Sequence, residues 1–160
     1  MNQGFLKSLH QLLATQPHTL TLDITIGNMF ICCTDQKCSR FIQDRLQNKM
    51  LPEQERQRFL QHLFFDSGIS LEKLIVDSFG NYIVQRILQL KNLQLQYIYP
   101  FIQLLTSNII RYSRHKHATR VVQAALEVMS LSEREHVIKE IMDGKQAIKL
   151  SFDFSGNHVI

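Results

Sequence analysis

Apolar residues along the chain recur at helical rather than strand spacing. Phe5, Leu6, Leu9, Leu12 and Leu13 fall on one helical face near the amino end. Ile83, Val84, Ile87 and Leu88 repeat as i, i+1, i+4, i+5, and Val121, Val122, Ala125 and Leu126 repeat in the same way. Leu74, Ile75 and Phe79 precede the first of these runs, and Ile109, Ile110 and Tyr112 precede the second. Thr19–Ile26 alternates weakly, and no alternation is long enough to predict a strand. A further helix is expected after each run. Pro52 suits the first turn of a helix over Glu53–Phe65, where its missing N–H costs nothing, and Pro100 can open Phe101–Leu105 in the same way. Ser132-Glu-Arg-Glu135 reads as a capping box, and Asp143-Gly144 as a helix stop.

The pattern repeats. Asp35-Gln-Lys-Cys-Ser-Arg-Phe-Ile-Gln43, Asp77-Ser-Phe-Gly-Asn-Tyr-Ile-Val-Gln85, His115-Lys-His-Ala-Thr-Arg-Val-Val-Gln123 and Asp153-Phe-Ser-Gly-Asn-His-Val-Ile160 align in register. Their reference positions Ser39, Asn81, Thr119 and Asn157 are 42, 38 and 38 residues apart. A period near 40 marks an α-solenoid, in which each unit buries its apolar face against the next. A small residue precedes each reference position: Cys38, Gly80, Ala118 and Gly156. The apolar pairs Phe41-Ile42, Ile83-Val84 and Val121-Val122 point into the core. The expected organisation is a leader that caps the array over 1–19, then repeats over 20–66, 67–106 and 107–144, and the start of a fourth over 145–160. Each repeat reads as a short helix, the motif helix beginning near the reference position, and a third helix. The last copy stops one residue before its Gln, which leads us to expect further repeats elsewhere.

On the motif helix, Ser39 and Gln43 lie one above the other at i, i+4, and Arg40 sits about 100° round from Ser39. The second copy supplies Asn81, Gln85 and Tyr82, the third Thr119, Gln123 and Arg120, the fourth Asn157 and His158. Each copy varies the polar type and keeps the geometry: two hydrogen-bonding side chains beside one planar, stackable group. Flat ligands with polar edges need that arrangement, and the bases of single-stranded RNA are such ligands. A single polar pair would be a solvated face; four in register point to base reading. Asp35, Asp77 and Asp153 recur once per unit, which suits a helix N-cap and not a catalytic carboxylate pair.

These segments resemble the RNA-reading helices of Pumilio/PUF repeats, over about residues 20–160. The order Ser-Arg-Gln, Asn-Tyr-Gln, Thr-Arg-Gln, Asn-His is similar to the first four repeats of a Pumilio homology domain. The resemblance implies an all-α, right-handed superhelical α-solenoid of three-helix repeats. It implies RNA on the concave face, antiparallel to the protein, one base per repeat. Ser39, Gln43, Asn81, Gln85, Thr119, Gln123 and Asn157 would then meet base edges, and Arg40, Tyr82, Arg120 and His158 would stack. By the same resemblance Asn81 with Gln85 reads uracil, Ser39 with Gln43 adenine, Thr119 with Gln123 adenine and Asn157 with His158 uracil, a core of 5′-UAUA-3′. The implied role is post-transcriptional control through mRNA 3′-untranslated regions in the cytoplasm, with protein co-repressors on the convex face. His115 departs from the recurring Asp, and Ala118-Thr119 from the usual small-residue pair.

Composition narrows the field further. The 160 residues are 44% hydrophobic and 20% charged, as in ordinary globular chains. The net charge of +4 accommodates a nucleic-acid partner. No apolar run reaches the roughly 18 residues a membrane span needs, and the first thirty lack the apolar core of a signal peptide. Cys32, Cys33 and Cys38 suit neither a disulfide framework nor a zinc site and read as core thiols. His10, His18, His62 and His136 lack metal spacing, and Met29, Met129 and Met142 read as packing residues. Lys37, Lys73, Arg114 and Lys116 are candidate phosphate contacts that double as surface charge. No cofactor, metal or catalytic constellation is expected. Two rival readings stay open: an rRNA-processing PUF-like protein of the nucleolus, and an armadillo- or HEAT-like scaffold that binds protein.

Overall fold

In the computed structural model, which describes residues 2–91, 93–143 and 146–160, the chain is helical throughout, with no strand among the described residues. The leader forms α1 (Asn2–Thr15), and a 3₁₀ turn at Leu22–Thr25 leads into the first repeat. That repeat contains α2 (Met29–Thr34), α3 (Gln36–Gln47) and α4 (Glu53–Gln61), the last continuing as a π segment over His62–Asp66. The second contains α5 (Leu71–Val76), α6 (Gly80–Leu88) and α7 (Leu95–Thr106). The third contains α8 (Ile109–Ser113), α9 (Ala118–Val128) and α10 (Leu131–Met142). The fourth begins with α11 (Gln146–Ser151) and a 3₁₀ turn at Gly156–His158.

The motif helices form one row. α6 packs on α3 on one side and on α9 on the other, α1 covers the free side of α3, and the Gly156–His158 turn follows α9. The first helix of each repeat packs on its own motif helix and reaches the next: α2 touches α6, α5 touches α9, and α8 touches the final turn. The expected apolar pairs are the buried side of the row, with Ile42, Ile83, Val84 and Val121 at 0% exposure. The glycine before the reference position in the second and fourth repeats has a steric cause. A Cβ on Gly80 would stand 3.0 Å from the Leu74 carbonyl oxygen and 3.1 Å from Leu74 Cδ2. On Gly156 it would stand 2.8 Å from Leu150 Cδ2. Two glycines sit in left-handed backbone ahead of a repeat's first helix, Gly27 at φ 88° and Gly68 at φ 63°. Between α3 and α4, Arg45 Nη2 donates to both oxygens of buried Glu55 at 2.8 and 2.6 Å. Glu55 also accepts Leu22 N–H at 2.8 Å, which pins the linker onto α4.

Several expected boundaries move. Pro100 does not open a helix; it lies inside α7. Its ring removes the bond to the Gln96 carbonyl, and burial of Tyr97, Phe101, Ile102 and Leu105 carries the helix past it. Phe64 packs edge-on against Phe101 with centroids 5.0 Å apart, and lies 5.2 Å from the Tyr97 ring. α4 begins at Glu53 as expected, with Pro52 as its N-cap and the Pro52 carbonyl accepting Arg56 N–H at 3.1 Å. The capping box is Ser130 with Glu133, not Ser132 with Glu135. α10 ends at Met142 with Asp143 as C-cap; Gly144, the other half of the expected stop, lies outside the described residues. Met29 and Met129 are buried as expected, but Met142, at the end of α10, is exposed and packs little.

Candidate nucleic-acid interface

Each motif helix is started by a side chain four residues before its reference position. Asp35 Oδ1 accepts Lys37 N–H at 3.0 Å and Cys38 N–H at 2.9 Å. Asp77 does the same for Phe79 and Gly80 at 2.8 and 2.7 Å, and Asp153 for Ser155 and Gly156 at 3.0 and 2.9 Å. The cap holds the first turn in place, and the turn fixes where the reference residue points. The hydrogen bond from Arg114, with help from the Gly156 N–H, holds the Asp153 carboxyl below its usual range. In the third repeat His115 keeps the role: its Nδ1 accepts His117 N–H and Ala118 N–H, both at 3.2 Å. Asp Oδ1 and His Nδ1 stand the same number of bonds from Cα, so the sequence carried that signal although the residue types differ. The motif helix therefore begins before the expected start in the first repeat, at Gln36.

The structure places the candidate residues side by side along the row. Arg40, Tyr82, Arg120 and His158 are all exposed, Tyr82 by 50%. Ser39, Asn81 and Thr119 are buried at the base of the row, Gln43, Gln85 and Gln123 are half-buried above them, and Asn157 is exposed. In the second repeat Asn81 Nδ2 donates to the Asp77 carbonyl at 2.7 Å, and Gln85 Nε2 donates to Asn81 Oδ1 at 2.9 Å. That leaves one N–H on each amide and the Gln85 carbonyl: two donors and one acceptor. In the first repeat the Ser39 hydroxyl donates to the Gln36 carbonyl at 3.2 Å, which leaves its lone pairs beside the Gln43 amide.

The third pair is engaged across the repeat boundary, which the sequence did not announce. Thr119 Oγ1 donates to the Ser155 carbonyl at 3.0 Å, and Gln123 Nε2 to the His158 carbonyl at 2.6 Å. Arg120 Nη1 reaches Gln123 Oε1 at 3.2 Å, so the third repeat has less free hydrogen-bonding capacity than the second.

Of the candidate cations, Lys37, Lys73 and Lys116 are exposed, whereas Arg114 is paired with Asp153 at 2.9 Å. Cys32, Cys33 and Cys38 are buried free thiols, and burial pushes the Cys33 thiol up. His10 Nε2, an Asp35 oxygen and Cys38 Sγ lie within 4.8 Å of one another, a possible ligand trio in composition. Asp35 Oδ1 already serves two backbone N–H groups and His10 at 2.8 Å, so the trio is accounted for as the cap of α3 tied to α1. No helix is long and apolar enough to cross a membrane among the described residues.

The model of the Pumilio-family RNA binding repeat matches residues 72–92 and 108–142. A Pumilio domain-containing protein of Schizosaccharomyces pombe is 26% identical over 140 residues, covering 88% of this chain and 19% of its own length. Pumilio homolog 12 of Arabidopsis thaliana is 28% identical over 130 residues, covering 81% of this chain and 19% of its own. The chain thus spans about a fifth of the curated relatives it matches. The Puf3 RNA binding domain, solved with a Cox17 RNA 3′ UTR recognition sequence, superposes with a TM-score of 0.78 at 27% identity, over 96% of this chain and 41% of that one. The RNA-binding domain of yeast Puf5p, solved with MFA2 RNA, superposes with a TM-score of 0.64 at 26% identity, over 93% and 38%.

Proposed function

We propose that the chain is a member of the Pumilio/PUF family of RNA-binding repeat proteins, which it resembles in its repeats, its relatives and its fold, and that it binds single-stranded RNA sequence-specifically, one base per repeat, without catalysing a reaction. The observation that carries this reading is the row α3–α6–α9, in which every helix presents an i, i+4 polar pair beside an exposed planar side chain. A base between two planar groups needs two gaps of roughly 3.5–4.0 Å. Packed helices stand roughly 8–10 Å apart, so planar groups on neighbouring helices can sandwich one base.

The edges follow from the free hydrogen-bonding capacity. Two donors and one acceptor at Asn81 and Gln85 complement uracil, whose pairing edge is a carbonyl, an N–H and a carbonyl. At the first repeat a Gln amide can meet adenine through one donated and one accepted bond, and the small Ser39 leaves room for the purine. Thr119 with Gln123 is read as adenine and Asn157 with His158 as uracil by resemblance to the family alone, since the third pair is largely engaged across the repeat boundary. With the fourth repeat at the 5′ end, the core is 5′-UAUA-3′. We place this activity in mRNA control through 3′-untranslated elements in the cytoplasm, with co-repressors on the convex face. The support is the family, and the Puf3 domain's recognition sequence from a 3′ UTR.

The test is a selection from random RNA with the purified chain, then with the double variant Asn81→Ser, Gln85→Glu. The parent should return U at the third core position, and the double variant G, because a carboxylate accepts the paired N–H donors on guanine's edge. U persisting after the double change, or no U in the parent, refutes the register or polarity. Binding competed by peptide and not by RNA would move the chain to the protein-scaffold reading.

A further inference from the structure

The row of stacking residues does not end at Arg40. Beyond it lies a cavity of about 710 Å³ between α1 and α3, within the roughly 300–1,000 Å³ range of small-ligand clefts. Lys37, Arg40, Phe41, Asp44, Arg45 and Asn48 line its α3 side, the helical face turned away from Ser39 and Gln43. Its floor is apolar, made by Leu13, Ala14 and Pro17 with the Phe41 ring. Its rim is basic, with His18 from the turn after α1 opposite Lys37 and Arg40. Arg45 is neutralised by Glu55, so Lys37 and Arg40 are the cations turned to an occupant. Asp44 adds a carboxylate acceptor to the wall.

We propose that this cavity takes one further nucleotide of the bound RNA, the one on the 3′ side of the base read by the first repeat. The proposal rests on the RNA-reading function above. Arg40 borders both places, and a guanidinium is planar and stacks on either face: one toward the base of the first repeat, the other toward the cavity. The apolar floor accepts the face of a base, the Lys37 amine faces the phosphate that links the two nucleotides, and Asp44 accepts from a base edge that carries N–H donors. α1 therefore does more than close the end of the solenoid: it supplies the wall of a fifth subsite that no repeat motif encodes.

Fluorescence anisotropy with four labelled RNAs tests this: the UAUA core, the core with one added 3′ guanosine, the core with one added 3′ abasic nucleotide, and the core with one added 5′ guanosine. Protein is titrated to saturation of the core. The 3′ guanosine should tighten binding about tenfold, within the range that one stacked base delivers, while the abasic and 5′ additions change it by less than about twofold. Ala14→Trp should fill the cavity and abolish the gain while core binding stays at the parent level. His18→Ala, an exposed change on the turn, should reduce the gain without the risk of misfolding. A 3′ guanosine that adds no more than the abasic nucleotide, or a gain that survives Ala14→Trp, overturns the proposal while the RNA-reading function stands. A core that does not bind at all overturns both.

Discussion

Tyr82 is the side chain whose proposed role is stacking on a base and whose exposure leaves it little part in the fold. Its neighbours Ile83 and Val84 are fully buried, while its ring is 50% exposed on the same helix. Tyr82→Ala should cost about 1–3 kcal/mol of RNA binding, the usual worth of one base–aromatic stack, with little change in the thermal midpoint. Titration of labelled RNA alongside a melting curve checks this. Wild-type binding by Tyr82→Ala, with binding abolished by Lys37→Ala or Lys116→Ala, would replace stacking with electrostatics. His115 is the complementary case, a side chain that serves the fold. Its Nδ1 must be unprotonated to accept from His117 and Ala118. Burial first, then the charges of His117, Lys116 and Arg111, lowers its pKa from the ordinary 6.5. A histidine with a depressed folded pKa contributes stability that is present above about 6.5 and lost as pH falls through the folded value. The thermal midpoint should therefore drop as pH is lowered from about 7 to 5. His115→Asp, which restores the residue of the other repeats, should make that drop shallower. Equal pH dependence in the two proteins would remove the cap from the account.

At the scale of the helix, the second and fourth repeats depend on a close approach of the first helix to the motif segment. Gly80 sits where a Cβ would meet the Leu74 backbone oxygen at 3.0 Å, and backbone cannot swing aside. Gly80→Val should destabilise the chain by about 1–3 kcal/mol through overpacking, read as a lowered denaturation midpoint. An unchanged midpoint would mean that α5 and α6 can separate freely. Recurrence explains why the helices were legible in the sequence. The small residue and the two buried apolar residues recur in every full repeat, and four aligned copies locate the motif helix within a few residues. What recurred could be read, and what occurred once could not. Ser130-Leu-Ser-Glu133 and Ser132-Glu-Arg-Glu135 have the same capping pattern two residues apart. The choice falls to Ser130 in a structure where Arg134 also binds the carbonyls of Met129 and Glu127 at 3.0 and 3.2 Å. Pro100 was misplaced because local preference puts proline in a first turn, while the aromatic cluster around Phe64 holds α7 together across it. The candidate reading residues were legible as a set because they repeat. The bonds from Thr119 and Gln123 to the next repeat span more than thirty residues and leave no local pattern.

At the scale of the molecule, the two ends of the array differ in what they expose. At the α3 end, α1 covers the first motif helix, and His10 is tied to Asp35 at 2.8 Å. At the other end a groove of about 500 Å³ is lined by the apolar Leu126, Ile138, Ile141, Met142, Val159 and Ile160, with Glu127 and Arg134 at its edge. Beside it, Ile148 is exposed, and Phe152 and Phe154 stand 88% and 91% exposed. A solenoid unit buries its apolar face against neighbouring units; here α11 and the Gly156–His158 turn pack on the third repeat, while Ile138, Met142, Ile148, Phe152, Phe154 and Ile160 stay exposed. Contiguous apolar surface of this kind drives association. The 160-residue chain should therefore self-associate with rising concentration in sedimentation velocity. Ile138→Glu together with Phe154→Ser should shift it toward monomer. Because these positions lie outside α3 and α6, the double variant should still bind RNA through the first two repeats with the parent's preference for U and A there. On the proposed reading of one base per repeat, the number of bases limits affinity in either state. Four repeats should then bind measurably less tightly than an array of the same repeats extended from the open end. A parent chain that stays monomeric across the concentration range, or a double variant that associates as strongly as the parent, would show that the exposed end is not the adhesive surface.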